Sequence, residues 1–234
     1  MTTFCLIPGA GGDASYWSRV TPELERHGHA AIAVDIPEDD RRFGLPEYAE
    51  LVEGAIGDRH DVVLVAQSMG GFTAPMVTRH KPVRMIVLVN AMVPLPGETP
   101  GDWWDATGSI EARRAADLAA GRSPDFDMDQ HFLHDIDADT LAWMQTTPGR
   151  APSDTPFGQP CEFDAWPDVP IKVLVGRDDR FFPADFQWRV AKDRLGIEAD
   201  EIPGGHLVAL ANPVGLAERL VEYAADLDRP VSRR

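Results

Sequence analysis

The stretch Val62-Val63-Leu64-Val65-Ala66-Gln67-Ser68-Met69-Gly70-Gly71-Phe72 constrains the fold of this chain more than any other. Four consecutive apolar residues, three of them β-branched, read as a strand buried on both faces. The small residue, serine and two glycines that follow call for a sharp turn into a helical pattern, with Ser68 at the apex. The spacing Ala66-x-Ser68-x-Gly70 is that of a nucleophile elbow with Ala at the first Gly position. Small neighbours are needed there because the serine backbone is strained and other segments come close to it. Such a turn lifts the hydroxyl above the sheet edge. It also leaves the Met69 N–H at a helix N-terminus, aimed where an oxyanion could form.

On either side of this stretch, strands alternate with helices. Phe4 to Ile7 is a short apolar strand, followed by the loop Pro8-Gly9-Ala10-Gly11-Gly12-Asp13-Ala14 and a helical stretch through Trp17 and Val20. A helix restarts at Thr21-Pro22, and Ala30 to Asp35 forms a second strand. Another helix opens at Pro46, where Tyr48, Leu51, Val52, Ala55 and Ile56 fall on one apolar face. Met85 to Val89 is a further strand, ending in Asn90. From Pro94 to about Pro170 the alternation stops in a region holding ten of the twenty prolines, with helical patches at Trp103 to Leu118 and Asp139 to Gln145. Strand and helix then resume with Ile171 to Val175, Pro183 to Leu195 and a short strand near Glu198 to Ile202. A last helix has Asn212 as N-cap and Pro213 at N1, and the tail after Asp228 is expected to fray. The pattern predicts a core of residues 1–92 and 168–234, with residues 93–167 inserted as a helical cap. It implies a mostly parallel central sheet with helices on both faces and chemistry at the C-terminal strand ends.

Charge narrows the partners. With 22 Lys and Arg against 38 Asp and Glu, the net charge is −16 over 234 residues, so nucleic acid and anionic bilayers would be repelled. The first residues lead straight into a strand without a cationic leader, and no apolar run is long enough for a membrane span. The expectation is a soluble cytoplasmic protein acting on a small molecule, compatible with a homodimer. Cys5 and Cys161 lie far apart with no metal spacing, which predicts two buried reduced thiols.

A serine hydroxyl needs a base to take its proton and an acid to orient that base. Two later loops at strand ends offer both: Gly176-Arg177-Asp178-Asp179-Arg180-Phe181-Phe182-Pro183 and Pro203-Gly204-Gly205-His206. The order Ser, Asp, His is that of α/β-hydrolases. His131 and His134, near Asp129 and Asp135, could suggest a metal site, but a solvated helix in the insertion needs no ligand. His27, His29, His60 and His80 read as ordinary surface groups. Among the aromatic residues of the insertion, Trp104 and Trp143 are expected, together with Leu207, to line an apolar acyl or aromatic pocket.

On these residues the chain resembles the α/β-hydrolase superfamily, and within it the small cofactor-free group of plant-type methylesterases and hydroxynitrile lyases. Leu6-Ile7-Pro8-Gly9-Ala10 is similar to that group's oxyanion loop, with Pro8 replacing its usual His. Gln67-Ser68-Met69-Gly70-Gly71 resembles its elbow. The resemblance implies an α/β-hydrolase fold with no cofactor and no metal. It implies Ser68 as nucleophile, His206 as base and Asp179, three residues after the loop Gly, as acid, with Asp178 as the alternative. The implied oxyanion donors are the backbone N–H groups of Ala10 and Met69. Hydroxynitrile lyases of this group use a threonine beside the oxyanion loop and a lysine after the catalytic histidine. Here those positions are Gly9 and Leu207, which favours hydrolysis of a small ester, lactone or thioester over the lyase reaction; a dehalogenase would need Asp at position 68.

Two readings of other classes compete. Gly9 to Ala14 matches G-x-G-x-x-A between a strand and a helix, and Asp35 ends the second strand, together imitating a dinucleotide-binding fingerprint. Pro22 interrupts the helix that should carry the pyrophosphate, and the elbow would be unexplained. The other is a non-catalytic ligand-binding protein on the same frame, against which an intact triad argues.

Overall fold

The computed structural model describes residues 1–147 and 149–227; the tail expected to fray after Asp228 lies outside them. Six strands, β1 (Thr3–Ile7), β2 (Ala30–Ala33), β3 (Val62–Gln67), β4 (Met85–Val89), β5 (Ile171–Gly176) and β6 (Asp200–Ile202), form one sheet in the order β2-β1-β3-β4-β5-β6, every neighbouring pair parallel. β3 lies between β1 and β4, with Ile7 opposite Ala66 and Ala66 opposite Leu88. All six of its residues are buried, which is why it reads as an unbroken apolar run.

Side-chain alternation along the strands divides the core in two. Cys5, Ile7, Leu64, Ala66 and Leu88 face α2 (Leu45–Ile56), α3 (Gly70–Val77) and α7 (Ala184–Leu195). Phe4, Leu6, Val63, Val65 and Val87 face Trp17, α1 (Thr21–Arg26) and α9 (Pro213–Leu227), whose Leu216, Leu220 and Tyr223 share the inner side. The chain leaves β1 toward β2 on one side and then returns to β3 on the other. The ends of β1 and β3 therefore flank the point where strand order reverses, the place such sheets use for a site.

Between β4 and β5 the described residues form no strand. They carry α4 (Pro100–Thr107), α5 (Ser109–Ala119), a π-helical turn at Asp129–Leu133 and α6 (Ala138–Thr146). The patch expected over Trp103 to Leu118 is two helices, because Gly108 between them takes φ +65°. The helix expected through Trp17 and Val20 is only a 3-10 turn, Ala14–Trp17, with Asp13 accepting from the Ser15 N–H at 2.7 Å. A four-residue helix, α8 (Val208–Ala211), follows the last loop, and Asn212 caps α9 by accepting from the Gly215 N–H at 3.1 Å.

Candidate active site

Ser68 leaves β3 in the left-handed region, φ +49°, the strain anticipated for the elbow. Its carbonyl accepts from the N–H groups of Gly71 at 3.1 Å and Met92 at 3.0 Å. Both glycines of the turn are required by proximity. A Cβ on Gly71 would lie 1.9 Å from the Met92 carbonyl oxygen, and one on Gly70 2.7 Å from that of Pro8. The loop after β1 presses equally close, since a Cβ on Gly9 would come within 2.6 Å of the Ser68 Cβ. In that loop the Gly9 carbonyl accepts from the Gly12 N–H at 3.0 Å. In a trans peptide the Ala10 N–H then points the opposite way.

The three loops meet at the serine. His206 is 1% exposed, with Nε2 3.1 Å from Ser68 Oγ and Nδ1 2.8 Å from Asp179 Oδ2. A carboxylate only accepts, so it holds the proton on Nδ1 and leaves Nε2 free to take one from serine. The other oxygen of Asp179 accepts from the N–H groups of Phe181 and Phe182, each at 2.8 Å, and Gln187 donates to Oδ2 at 3.2 Å. Asp178, the alternative acid, is exposed and accepts from the Gly204 N–H at 3.1 Å. Of these two adjacent carboxylates only Asp179, which is buried, meets the imidazole. Phe132, Phe181 and Phe182 stand edge-on to His206 at 4.9, 5.0 and 5.1 Å, walling the ring from water.

Sequence reasoning missed the tether between the acid and base loops. Asn90, fully buried and at φ +46°, follows β4; its Oδ1 accepts from the Gly176 N–H at 2.6 Å. Its Nδ2 donates to the carbonyls of Gly205 at 2.9 Å and His206 at 3.2 Å. Gln67 adds a bond to the His206 carbonyl at 3.2 Å, and Asp135 of the insertion accepts from the Gly205 N–H at 2.5 Å. The one sequence signal was a polar residue closing an otherwise apolar strand at the same level as Ser68.

A cavity of about 510 Å³ lies beside the serine, bounded by Gly9 to Asp13, by Gln67 just before Ser68 and by Leu207 just after His206. Trp143, Leu207, Phe132 and Met144 line it. Trp104 does not: it packs behind Phe181 and Phe182, 5.8 Å from each, and borders a separate cavity of about 420 Å³. It therefore supports the rings that hold His206 and is no part of the wall beside the serine. His131 is likewise not on a solvated face. It is fully buried, with Nε2 2.9 Å from Asp117, a carboxylate that also pairs with Arg113 and Arg122. Among the described residues no group of three His, Cys, Asp or Glu side chains is arranged to hold a metal ion. His80 pairs with Glu53 at 2.9 Å, and His29 departs from a plain surface group by standing edge-on to Phe4. No long helix follows the glycine loop, and Asp35 is held by Arg150 at 3.0 and 3.1 Å, so neither half of the dinucleotide pattern is set up for a nucleotide.

A parallel sheet flanked by helices, with serine, carboxylate and histidine on the loops after β3, β5 and β6, defines the class. Over residues 6–219 the chain matches the model of the alpha/beta hydrolase family, and it belongs to that family. It is similar to a probable hydrolase, R7, of a Phoma species, 24% identical over 249 residues spanning 94% of this chain and 96% of the relative. Its fold is similar to that of a pyrethroid hydrolase from Sphingobium faniae, with a TM-score of 0.74 at 19% identity, covering 96% of this chain and 97% of the other. An Arabidopsis methylesterase superposes with a TM-score of 0.74 at 15% identity, covering 97% of this chain and all of the other. No helix among the described residues is long and apolar enough to cross a membrane.

Proposed function

We propose that the protein is a serine hydrolase cleaving a small carboxylic ester through an acyl-enzyme. The single observation that carries this reading is the unbroken contact from Ser68 Oγ to His206 Nε2 at 3.1 Å and from His206 Nδ1 to Asp179 at 2.8 Å. Ser68 attacks the carbonyl carbon as His206 takes its proton; Asp179 holds the tautomer and stabilises the imidazolium. The backbone N–H groups of Ala10 and Met69 receive the oxyanion. His206 then protonates the leaving alcohol, and water, activated by the same imidazole, releases the acid. Residues 93–167 act as a cap, and the apolar wall of Phe132, Trp143, Met144 and Leu207 favours an apolar or aromatic acyl group. Hydrolase and methylesterase relatives agree with ester chemistry. Buried unpaired Cys5 and Cys161 fit a reducing, cytoplasmic setting.

A lyase is disfavoured because Leu207 offers no ammonium for a departing anion. Ser68→Ala is expected to lower turnover of a short-chain aryl ester by about 10⁶-fold with the fold intact. A variant keeping more than a tenth of the activity would remove Ser68 as nucleophile. Peptide mass analysis after treatment with an organophosphonate should find Ser68 labelled; no labelling would favour a ligand-binding protein on this frame.

A further inference from the structure

Glu38 is 1% exposed, yet it lies in the loop after β2, a position where a glutamate ordinarily reaches solvent. Its Oε2 accepts a short hydrogen bond from the N–H of Gly11, one residue beyond Ala10. That bond fixes the Ala10–Gly11 peptide, while Gly12 N–H to Gly9 O fixes the Gly9–Ala10 peptide. Both peptides around the Ala10 N–H are therefore held, one by the loop itself and one by a carboxyl from elsewhere. A strap from the insertion lies over this corner. Ser153 N–H donates to the Glu38 carbonyl at 2.7 Å, and a Cβ on Gly149 would lie 2.5 Å from the Gly11 carbonyl oxygen.

We propose that Glu38 is the positioning residue of the oxyanion loop, holding the Ala10 N–H on the reaction centre by its bond to Gly11. This rests on the ester-hydrolase reading above. Glu38 does not line the cavity beside the serine. Its surroundings bear on its charge. Asp13 faces it from the β1 loop, Tyr48 from α2, and Arg150 from the strap, where Arg150 also pairs with Asp35 and Asp39. Arg150 is the one cation among them. Its guanidinium is taken up by Asp35 and by the Ile36 carbonyl at 2.6 Å. Burial pushes the Glu38 carboxyl up to about 8, so at neutral pH it holds the loop as an uncharged acid. Above that pH it ionises and places a negative charge behind the forming oxyanion, which repels it.

The test is the pH profile of kcat and KM for an aryl ester with wild type, Glu38→Ala and Glu38→Gln, the spontaneous rate subtracted. Wild-type kcat should fall by roughly tenfold above about pH 8 with KM little changed. Glu38→Ala should lose kcat at pH 7, and Glu38→Gln, which keeps an acceptor and cannot ionise, should restore most of that loss and lack the alkaline fall. A Glu38→Gln variant with the wild-type alkaline limb, or one folded but as slow as Glu38→Ala, overturns the proposal. Phosphonate labelling of Ser68 in parallel separates the two readings. Labelled, active protein with unaltered Glu38 variants sinks only the role of Glu38, whereas absence of labelling in wild type sinks the hydrolase reading and this inference with it. Should Glu38→Ala not fold, Glu38→Gln alone decides.

Discussion

Replacing Asn90 with alanine tests whether the acid and base loops depend on one buried amide. Alanine removes the acceptor for the Gly176 N–H and the donor to the Gly205 carbonyl; the His206 carbonyl retains Gln67. Leaving two buried backbone groups unpaired costs about 1 to 3 kcal/mol each. Alanine at φ +46° adds about 1 kcal/mol, since asparagine tolerates the left-handed region better. The sum, roughly 3 to 7 kcal/mol, is a large share of the ~5 to 15 kcal/mol that holds a domain together. For a chain of this length it corresponds to a fall in Tm of about 6 °C or more. Circular dichroism melts of wild type, Asn90→Ala and Asn90→Gly measure it. Glycine relieves the backbone strain but not the lost bonds, so it should recover only about 1 kcal/mol. At a temperature where the alanine variant is fully folded, kcat should still be lower by about tenfold or more, because Asp179 and His206 have lost their common anchor. An alanine variant melting within about 2 °C of wild type, with undiminished kcat, would refute the argument.

Asp179→Asn should lower kcat by about 10⁴-fold by misdirecting the imidazole tautomer, whereas Asp178→Asn should change it only a few-fold; the reverse order in a steady-state assay would exchange their roles. Glu38 also predicts a stability slope. The unfolded chain releases this proton near the ordinary 4.5 and the folded protein near 8, so its favourable contribution is complete below pH 4.5 and is lost as pH rises through 8. In urea titrations, Glu38→Gln should therefore gain on wild type by a few kcal/mol between pH 5 and 9, on the order implied by the shift. An unchanged difference across that range would refute it.

The elements that came directly from the sequence are those written in short-range pattern. The apolar run of Val62 to Val65, the small residues around Ser68 and the prolines opening α2 and α9 each depend on residues within a turn or two. Such signals survive whatever the rest of the chain does. Tertiary structure alone showed which of the neighbours Asp178 and Asp179 meets His206, one carboxylate being exposed and the other buried. It put Trp104 behind the phenylalanines, buried His131 against Asp117 and sent Asn90 and Glu38 to loops remote in sequence. Those outcomes turn on how segments cross: Asn90 meets Gly205 across 115 residues and Glu38 meets Gly11 across 27. A buried polar group must find whichever partner the crossing brings, and no local periodicity records which one that will be.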